Sequence, residues 1–342
     1  MAHFSDITQL NAAAQETAVQ GTLHVQVTQI LTKTTKTGKP FIEATFADVG
    51  GSLTFKVWDN APWHGAVAAL QPNQAVELFA NWQVGQYGME VAELDVRPLT
   101  PEEEEALLSG SPELRERQQA DWECITELAE TVHDPRLNTL CRAFLETFET
   151  RFRRSGAARK MHHARRGGLV EHTAGVMRAA SALCEAYPQL NRDLVLTGAL
   201  FHDCGKMWEN PYEEHTFVMP FTLTGELMGH ITMGIEIVNK LWAKLMAEHR
   251  EEWKALAPAS EDVRFHLLHL IASHHGSMEF GSPVLPKTPE ALALHHADDM
   301  DAKMEMFRSA YETSPALSEQ VLQAKFPLPN VVKPLPGFGG EQ

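Results

Sequence analysis

The chain has 342 residues, of which 44% are hydrophobic and 22% charged, as in a soluble globular protein with room for two domains. No apolar run approaches the roughly 18 residues of a membrane-spanning helix, the N-terminus lacks the features of a signal peptide, and the four cysteines are scattered, so we expect a cytoplasmic protein with reduced thiols. A net charge of −16 argues against a protein that coats duplex nucleic acid.

Residues 20–99 show the pattern of a small β-barrel. Alternation of apolar and polar residues predicts five short strands, near 23–30, 41–46, 53–58, 74–82 and 89–94. A short helix is expected between the third and fourth strands, from Trp63 to Leu70. Five strands with a helix after the third predict an OB-type barrel, and a small SH3-like barrel is the alternative.

The third predicted strand has two different faces. If Leu53, Phe55 and Val57 fill the barrel, then Lys56 and Trp58 are exposed. OB folds bind single strands by stacking bases on aromatic side chains beside basic groups. We therefore predict that Lys56 and Trp58 contact substrate, and the alternative is that Trp58 packs on the rest of the protein.

The remainder of the chain is predicted to be helical. An acidic, turn-rich stretch from Pro98 to Pro112 suits a boundary, and no convincing strand follows it before the Pro/Gly-rich end, which we expect to be extended or disordered. The predicted segments are 1–100 for the barrel, 101–160 for a helical linker and the start of the helical domain, 161–315 for the helical domain proper and 316–342 for the tail.

One segment departs from the acidic average of the chain. Residues 151–166 contain seven Lys/Arg and no Asp/Glu, which indicates a local surface for phosphate. The substrate contacts predicted from this segment are Arg159, Lys160, His163 and Arg165. The alternative is a solvated turn.

A histidine and an aspartate stand at the end of a strongly apolar predicted helix. His202 and Asp203 follow the run 194–201, where an unpaired buried carboxylate would cost several kcal/mol unless it bound a metal. Gly205 is expected to end the helix in a left-handed conformation, and Lys206 could then reach a bound phosphate.

Other potential ligands lie on or beside predicted buried helix faces. His172 faces inward because it lies three residues after Leu169 and four before Val176. The further candidates are His230, His274, His275 and Asp298. Asp301 shares a face with Asp298, whereas Met300 and Met304 form a neighbouring stripe that we expect to be core.

Taken singly, each of these histidines could be a core residue bonded to a backbone carbonyl. Together, five imidazoles and two carboxylates exceed the ligands of one metal, so the sequence predicts two metals bridged by a carboxylate.

The order of these motifs resembles the HD superfamily of metal-dependent phosphohydrolases in its binuclear form. More narrowly, the whole chain resembles the YhaM-type 3′→5′ exoribonucleases, which join an OB domain to an HD domain. The matching stretches are 162–163, 167–173, 202–206, 225–231, 273–276, 279–283 and 294–303. The implied fold is multidomain, a small all-β OB-type barrel followed by an all-α HD-domain helical bundle.

The resemblance also implies roles for individual residues. It gives the HD ligand roles to His172, His202, Asp203 and Asp298, with Asp203 bridging, and the second metal to His230, His274 and His275. Asp299 is a competing ligand, but the family spacing LHxxDxxD selects Asp298. Asp203 and Lys206 are the predicted catalytic residues.

The implied function is hydrolysis of single-stranded RNA from its 3′ end to nucleoside 5′-monophosphates by attack of a metal hydroxide, with single-stranded DNA as an alternative substrate. Mixed His/carboxylate ligation suits two Mn²⁺ ions, with Fe²⁺ or Co²⁺ as alternatives. We expect no membrane partner, and a homo-oligomer stays open. Two other functions compete: a phosphohydrolase of small or cyclic nucleotides, and a non-catalytic nucleic-acid-binding protein. The predicted barrel favours a polymeric substrate.

Overall fold

The computed structural model describes residues 2–15, 17–85, 88–159, 163–324 and 326–335. The chain folds into two compact units. The barrel unit comprises Met1–Arg117 and Tyr212–Pro220, and the helical unit comprises Gln118–Pro211 and Phe221–Gln342. The sequence placed the end of the barrel segment at residue 100, whereas in the structure the barrel unit extends to residue 117 and includes a segment from far along the chain.

The elements of the barrel unit form a closed sheet. In chain order they are β1 (Ala2–Phe4), α1 (Ile7–Ala13), β2 (Val19–Thr34), β3 (Pro40–Asp48), β4 (Gly51–Trp58), α2 (His64–Ala68), β5 (Ala75–Gly85), β6 (Gly88–Pro98) and α3 (Pro101–Ser109). Strands β2, β3 and β4 pair antiparallel, β4 pairs parallel with β6, and β5 pairs antiparallel with both β6 and β2. Five strands therefore close on themselves with α2 after the third, which fits an OB-type domain.

Side-chain alternation explains why these strands enclose a core. Leu53, Phe55 and Val57 of β4 are buried, while Lys56 and Trp58 between and after them are exposed. The Phe55 ring lies 6.1 Å from that of Trp82, which is fully buried. Because the indole Nε1 of Trp82 donates to the carbonyl of Gly21 at 3.0 Å, this large side chain leaves no unpaired polar group in the core.

The segment Tyr212–Pro220 belongs to the barrel unit through hydrogen bonds rather than through strand pairing. The Gln26 side chain is buried; its amide nitrogen donates to the carbonyl of His215 at 2.8 Å, and its amide oxygen accepts from the backbone nitrogen of Phe217 at 2.8 Å. The Phe217 ring is buried in the same unit beside Ala47 and Val49. One buried amide therefore holds a segment nearly 200 residues distant in sequence.

The helical unit is a bundle around one central helix. Its helices are α4 (Pro112–Glu130, which starts in the barrel unit), α5 (Pro135–Phe152), α6 (Gly168–Ala186), α7 (Arg192–Phe201), α8 (Lys206–Glu209), α9 (Leu223–Glu248), α10 (Arg250–Lys254), α11 (Ser260–Ser273) and α12 (Pro289–Thr313). Every residue of α7 from Leu194 to Phe201 is buried, as its apolar sequence predicts. The coarse prediction of a barrel followed by a helical domain is confirmed, and no strand lies between 113 and 315 in the described part of the chain.

Two predictions about the C-terminal region need correction. Met300 and Met304 of α12 are not core, since 58% and 59% of their surface is exposed. The described part of the tail contains a short hairpin, β7 (Val321–Leu322) with β8 (Val331–Val332), which packs on Ala310 at the end of α12, and residues 336–342 lie outside the described residues. Among the described residues, no helix combines the length and apolar character that crossing a membrane requires.

Candidate metal centre

Side chains from five helices meet at the centre of the helical unit. They come from near the start of α6, the end of α7, the interior of α9, the end of α11 and the first half of α12, and they are His172, His202, Asp203, His230, His274, His275 and Asp298. His172, His202 and His274 are fully buried, and Asp203 is 2% exposed. The structure therefore brings together the seven residues to which the resemblance assigned the metal-ligand roles.

Two glycines allow these elements to approach each other. Gly229 interrupts α9 with φ of +67°, a conformation that favours glycine, and the following His230 donates its backbone N–H to the Glu209 carboxylate at 3.2 Å. Gly205 has an ordinary right-handed φ of −66°, so the expected left-handed helix end is wrong. A glycine is needed there for space, because a Cβ would lie 1.9 Å from the carbonyl oxygen of His230.

The first ligand group surrounds one oxygen of Asp203. The Oδ2 atom lies 3.3 Å from His172 Nε2 and 3.4 Å from His202 Nε2, and these two nitrogens are 3.1 Å apart. Asp298 Oδ1 lies 3.2 Å from His172 Nε2 and 3.8 Å from His202 Nε2. Two imidazoles and two carboxylates thus face one point.

The second ligand group surrounds the other oxygen of the same carboxylate. Asp203 Oδ1 lies 3.4 Å from His230 Nε2 and 3.6 Å from His274 Nε2. His275 joins them, since one ligand atom from each of the four residues fits within 4.8 Å of the others. Because each carboxylate oxygen of Asp203 faces a different group, this residue is placed to bridge two cations.

The outer nitrogen of each imidazole has a hydrogen-bond partner. The Nδ1 contacts are His172 with Asp301 Oδ2 at 2.7 Å, His202 with the Ala199 carbonyl at 2.7 Å, His230 with Glu209 Oε2 at 2.9 Å, His274 with the Ile271 carbonyl at 2.7 Å, and His275 with the Phe280 carbonyl at 2.6 Å. All five partners are acceptors, so each Nδ1 carries a proton and each Nε2 atom is directed inward. This is how metal-binding histidines are oriented in proteins.

Three buried polar atoms at the site have no hydrogen-bond partner in the described part of the protein, which is what a metal site without its metal would show. Asp203 Oδ1, His230 Nε2 and His274 Nε2 are buried and accept no hydrogen bond within the described residues. Leaving such atoms unpaired costs about 1–3 kcal/mol each. A cation among them removes that cost, and imidazole nitrogen with carboxylate oxygen is a donor set typical of divalent transition metals.

The pKa shifts show that this region concentrates negative charge. Burial alone would raise the pKa of Asp203, but Lys206, with its Nζ at 2.6 Å, and the nearby histidines hold that pKa well below its usual value. Burial would lower the pKa of His172, yet the carboxylates of Asp203, Asp298 and Asp301 raise it well above normal. Deprotonated carboxylates around buried imidazoles are an environment that favours bound cations.

Burial acts differently on the second group. It lowers the pKa of His275 to about 4, with the neighbouring His274 as the next cause, and it also lowers the pKa of His274. Both imidazoles are therefore neutral near pH 7, and a neutral imidazole is the form that binds a metal.

Two carboxylates that support the centre were not predicted as functional. Asp301 orients His172, and Glu209 orients His230. Asp301 had a signal in the sequence, because it lies one turn beyond Asp298 on the same helix face. Glu209 had none, since its partner is 21 residues away across a loop.

Two predicted substrate contacts lie behind the metal ligands. His163 is buried, with Nε2 at 3.2 Å from Asp301 Oδ2 and Nδ1 at 3.7 Å from the Glu171 carboxylate. Arg165 is paired with the carboxylates of Glu171 and Glu305. Both side chains are therefore engaged with carboxylates of the helical unit, which favours a structural role over contact with substrate.

The other predicted contacts have different settings. Lys206 is 7% exposed and bonds to Asp203, so it is part of the centre. Arg159 donates to the carbonyl of Glu209 at 2.8 Å, and Lys160 lies outside the described residues. Lys56 and Trp58 are exposed on β4 of the barrel unit.

Comparison with known proteins places these features in context. The HD domain family matches residues 169–303, the region that contains all seven candidate ligands. A 3′-5′ exoribonuclease YhaM from Geobacillus sp. is 32% identical over 278 residues, which is 80% of this chain and 80% of the relative. The proteins of the same name from Oceanobacillus iheyensis and Bacillus subtilis are each 30% identical, over 82% and 80% of this chain and 83% and 82% of the relatives.

Proposed function

Since the chain belongs to the family of the YhaM 3′-5′ exoribonucleases, we propose that it is a metal-dependent enzyme that shortens single-stranded RNA from the 3′ end and releases nucleoside 5′-monophosphates. The observation that carries this proposal is the pair of buried ligand groups that share Asp203. One shared carboxylate between two groups of imidazoles is the arrangement expected of a binuclear phosphodiesterase.

The proposed ligands divide between two cations. The first is held by His172, His202, Asp203 and Asp298, and the second by Asp203, His230, His274 and His275. Mixed nitrogen and oxygen ligation supports Mn²⁺, with Fe²⁺ or Co²⁺ as alternatives, because Mg²⁺ prefers all-oxygen sites. When bound, such ions lower the pKa of a water molecule and offset charge on phosphoryl oxygens.

The side chains of the centre prepare it for a phosphodiester. Asp203 is kept deprotonated, and the Nδ1 bonds fix all five imidazole rings, so little reorganisation is needed during the reaction. The ammonium nitrogen of Lys206 lies 2.6 Å from Asp203 Oδ2. We propose that this group offsets the negative charge that grows on the phosphoryl oxygens.

The barrel unit supports a polymeric substrate. On its surface the Lys56 ammonium lies 5.6 Å from the centroid of the Phe41 ring, and the Trp58 ring lies 5.5 Å from that same ring. We name Phe41, Lys56 and Trp58 the β4 patch. Of the two rings Trp58 is exposed and Phe41 is buried. An exposed aromatic ring beside a cation suits single-stranded nucleic acid, because every base offers a face for stacking.

The test uses a 5′-labelled single-stranded RNA incubated with the protein and Mn²⁺. We expect a ladder that shortens from the 3′ end, with nucleoside 5′-monophosphates as the chromatographed product. A circular RNA of the same sequence is the matched control, since it has no 3′ end and should stay intact. Cleavage of the circle would contradict the exonuclease assignment, and hydrolysis of cyclic or small nucleotides with intact RNA would favour a small-nucleotide phosphohydrolase.

A further inference from the structure

We propose that a cleft beside the metal centre is a nucleobase-binding subsite in which the Phe221 ring stacks on a base at the 3′ end of the RNA. The cleft has a volume of about 610 Å³, and Arg159, Lys206, Glu209, Phe221, Glu226 and Met228 are among the residues that line it. We name it the Phe221 cleft. This inference rests on the proposed exoribonuclease function and adds a residue that would hold the substrate.

Phe221 places an exposed aromatic ring on the wall of the cleft. The residue is 76% exposed, which leaves a large apolar ring in water. The Arg159 guanidinium lies 4.1 Å from the ring centroid, and it is held there by its hydrogen bond to the Glu209 carbonyl. With that much exposure the guanidinium covers only part of the ring, so a flat partner can still stack on Phe221.

Two residues that line the Phe221 cleft also contact the proposed metal ligands. Lys206 lines the cleft and also lies 2.6 Å from the bridging Asp203. Glu209 lines the cleft and also holds His230 by its Nδ1 atom. A nucleotide with its phosphate at the metal ligands therefore has this cleft beside it for its base.

The chemistry of the lining favours a base over a second phosphate. The carboxylates of Glu209 and Glu226 balance the two cations of the lining, Arg159 and Lys206, so the cleft has no excess of positive charge to attract a second phosphate, and its charges do not oppose a neutral heterocycle. Apolar surface from Leu227 and Met228, which are 74% and 49% exposed, adds contact area for a flat ring. Stacking on a ring tolerates any of the four bases, so the subsite fits an enzyme that degrades RNA of mixed sequence.

The chain offers a matched control for this ring. Phe265 of α11 is 58% exposed and has the Arg264 guanidinium 4.5 Å from its ring centroid, but neither residue lines the Phe221 cleft. Phe265→Ala removes a similar exposed ring with a similar cationic neighbour. A difference in RNA binding between Phe221→Ala and Phe265→Ala would therefore be due to the position of the ring in the cleft, and not to the loss of an exposed ring as such.

The experiment compares intact single-stranded RNA with RNA that carries an abasic residue at the 3′-terminal or the penultimate position. For intact RNA, Phe221→Ala should raise KM by about 5- to 100-fold, the range for loss of one base–aromatic stack, with a smaller change in kcat. For the RNA that lacks the stacked base, the variant and the wild-type protein should have similar KM values. Phe221→Trp should restore KM, Phe221→Leu should not, and Phe265→Ala should match wild type.

Binding without turnover separates this inference from the proposed function. The anisotropy of a fluorescein-labelled RNA, measured in EDTA, should show weaker binding by Phe221→Ala than by Phe265→Ala. If wild-type protein does not shorten RNA with Mn²⁺, the proposed function fails, and this binding difference decides the subsite by itself. If RNA is shortened but Phe221→Ala equals wild type, or loses the same factor on both abasic substrates, the subsite is overturned while the exoribonuclease assignment stands.

Discussion

Each imidazole ring of the candidate metal centre has its Nδ1 atom held by a hydrogen bond and its Nε2 atom directed inward. In the β4 patch, by contrast, the exposed side chains of Lys56 and Trp58 only lie against the ring of the buried Phe41. The first arrangement fixes atoms before substrate arrives, as bond-breaking chemistry requires. The second leaves an aromatic surface free to accept bases of any identity. The contrast implies that substitutions in the centre should affect turnover by large factors, and those in the β4 patch should affect substrate affinity by small ones.

The largest expected effect comes from the bridging carboxylate. Asp203→Asn keeps the shape of the side chain but removes the negative charge from both ligand groups, so Mn²⁺-dependent RNA hydrolysis should fall by roughly 1,000-fold or more. Asp299→Asn is the matched control, because Asp299 is a partly exposed neighbour of Asp298 that pairs with Lys303 at 2.7 Å. It should retain activity within about twofold, and a similar loss in both variants would count against the metal assignment.

A smaller loss of activity is expected from Asp301, which contacts a proposed metal ligand but not the metal itself. Asp301 accepts from His172 Nδ1, so Asp301→Asn should weaken Mn²⁺ affinity by roughly 10- to 100-fold while retaining the ligands themselves. Titration with Mn²⁺ should restore most of the activity. Activity that stays low at saturating Mn²⁺ would show that Asp301 does more than orient the ligand.

Substitutions in the β4 patch should change the affinity for long single-stranded RNA more than they change turnover. Trp58→Ala removes one exposed ring and should raise KM for long single-stranded RNA by roughly tenfold, with kcat and the hydrolysis of a dinucleotide nearly unchanged. Val84→Ala, another exposed apolar residue of the barrel unit, is the control. Equal losses on the long RNA and the dinucleotide would remove the distinction between the two regions.

The smallest effect belongs to the cation of the same patch. Lys56→Ala should weaken RNA binding by a few-fold and reduce the slope of log affinity against log salt concentration by about 0.7, the contribution of one phosphate contact to a single strand. Anisotropy titrations at several salt concentrations measure the slope. An unchanged slope would exclude Lys56 as a phosphate contact.

These tests use point substitutions because removal of the N-terminal region would disturb more than RNA binding. Gln26 holds residues 215–217 by two hydrogen bonds, so a chain without the barrel would lose the partners of that segment.

The sequence indicated the proposed ligands because a polar residue in an apolar pattern is conspicuous. A histidine or aspartate on an apolar helix face, as at His172 or Asp203, is costly without a partner and therefore visible. The partners that orient the rings were mostly invisible, since three of the five acceptors are backbone carbonyls that side-chain identity does not encode.

For the basic segment 151–166, by contrast, the sequence pattern was misleading. Its local composition predicted a surface for phosphate, but the carboxylates that neutralise Arg165 come from Glu171 and from Glu305, which is 140 residues away. A run of like charges in one segment says nothing about acids that the fold brings to it. Likewise, the membership of 212–220 in the barrel unit depends on pairings that span about 190 residues.

The central claim, that two cations share Asp203, is tested most directly by counting metals. After dialysis against Mn²⁺ and removal of free ions, elemental analysis should give two Mn²⁺ per wild-type chain, one in His172→Ala, one in His274→Ala and none in Asp203→Ala. A single Mn²⁺ in the wild-type protein, or two retained in a folded Asp203→Ala variant, would contradict the claim.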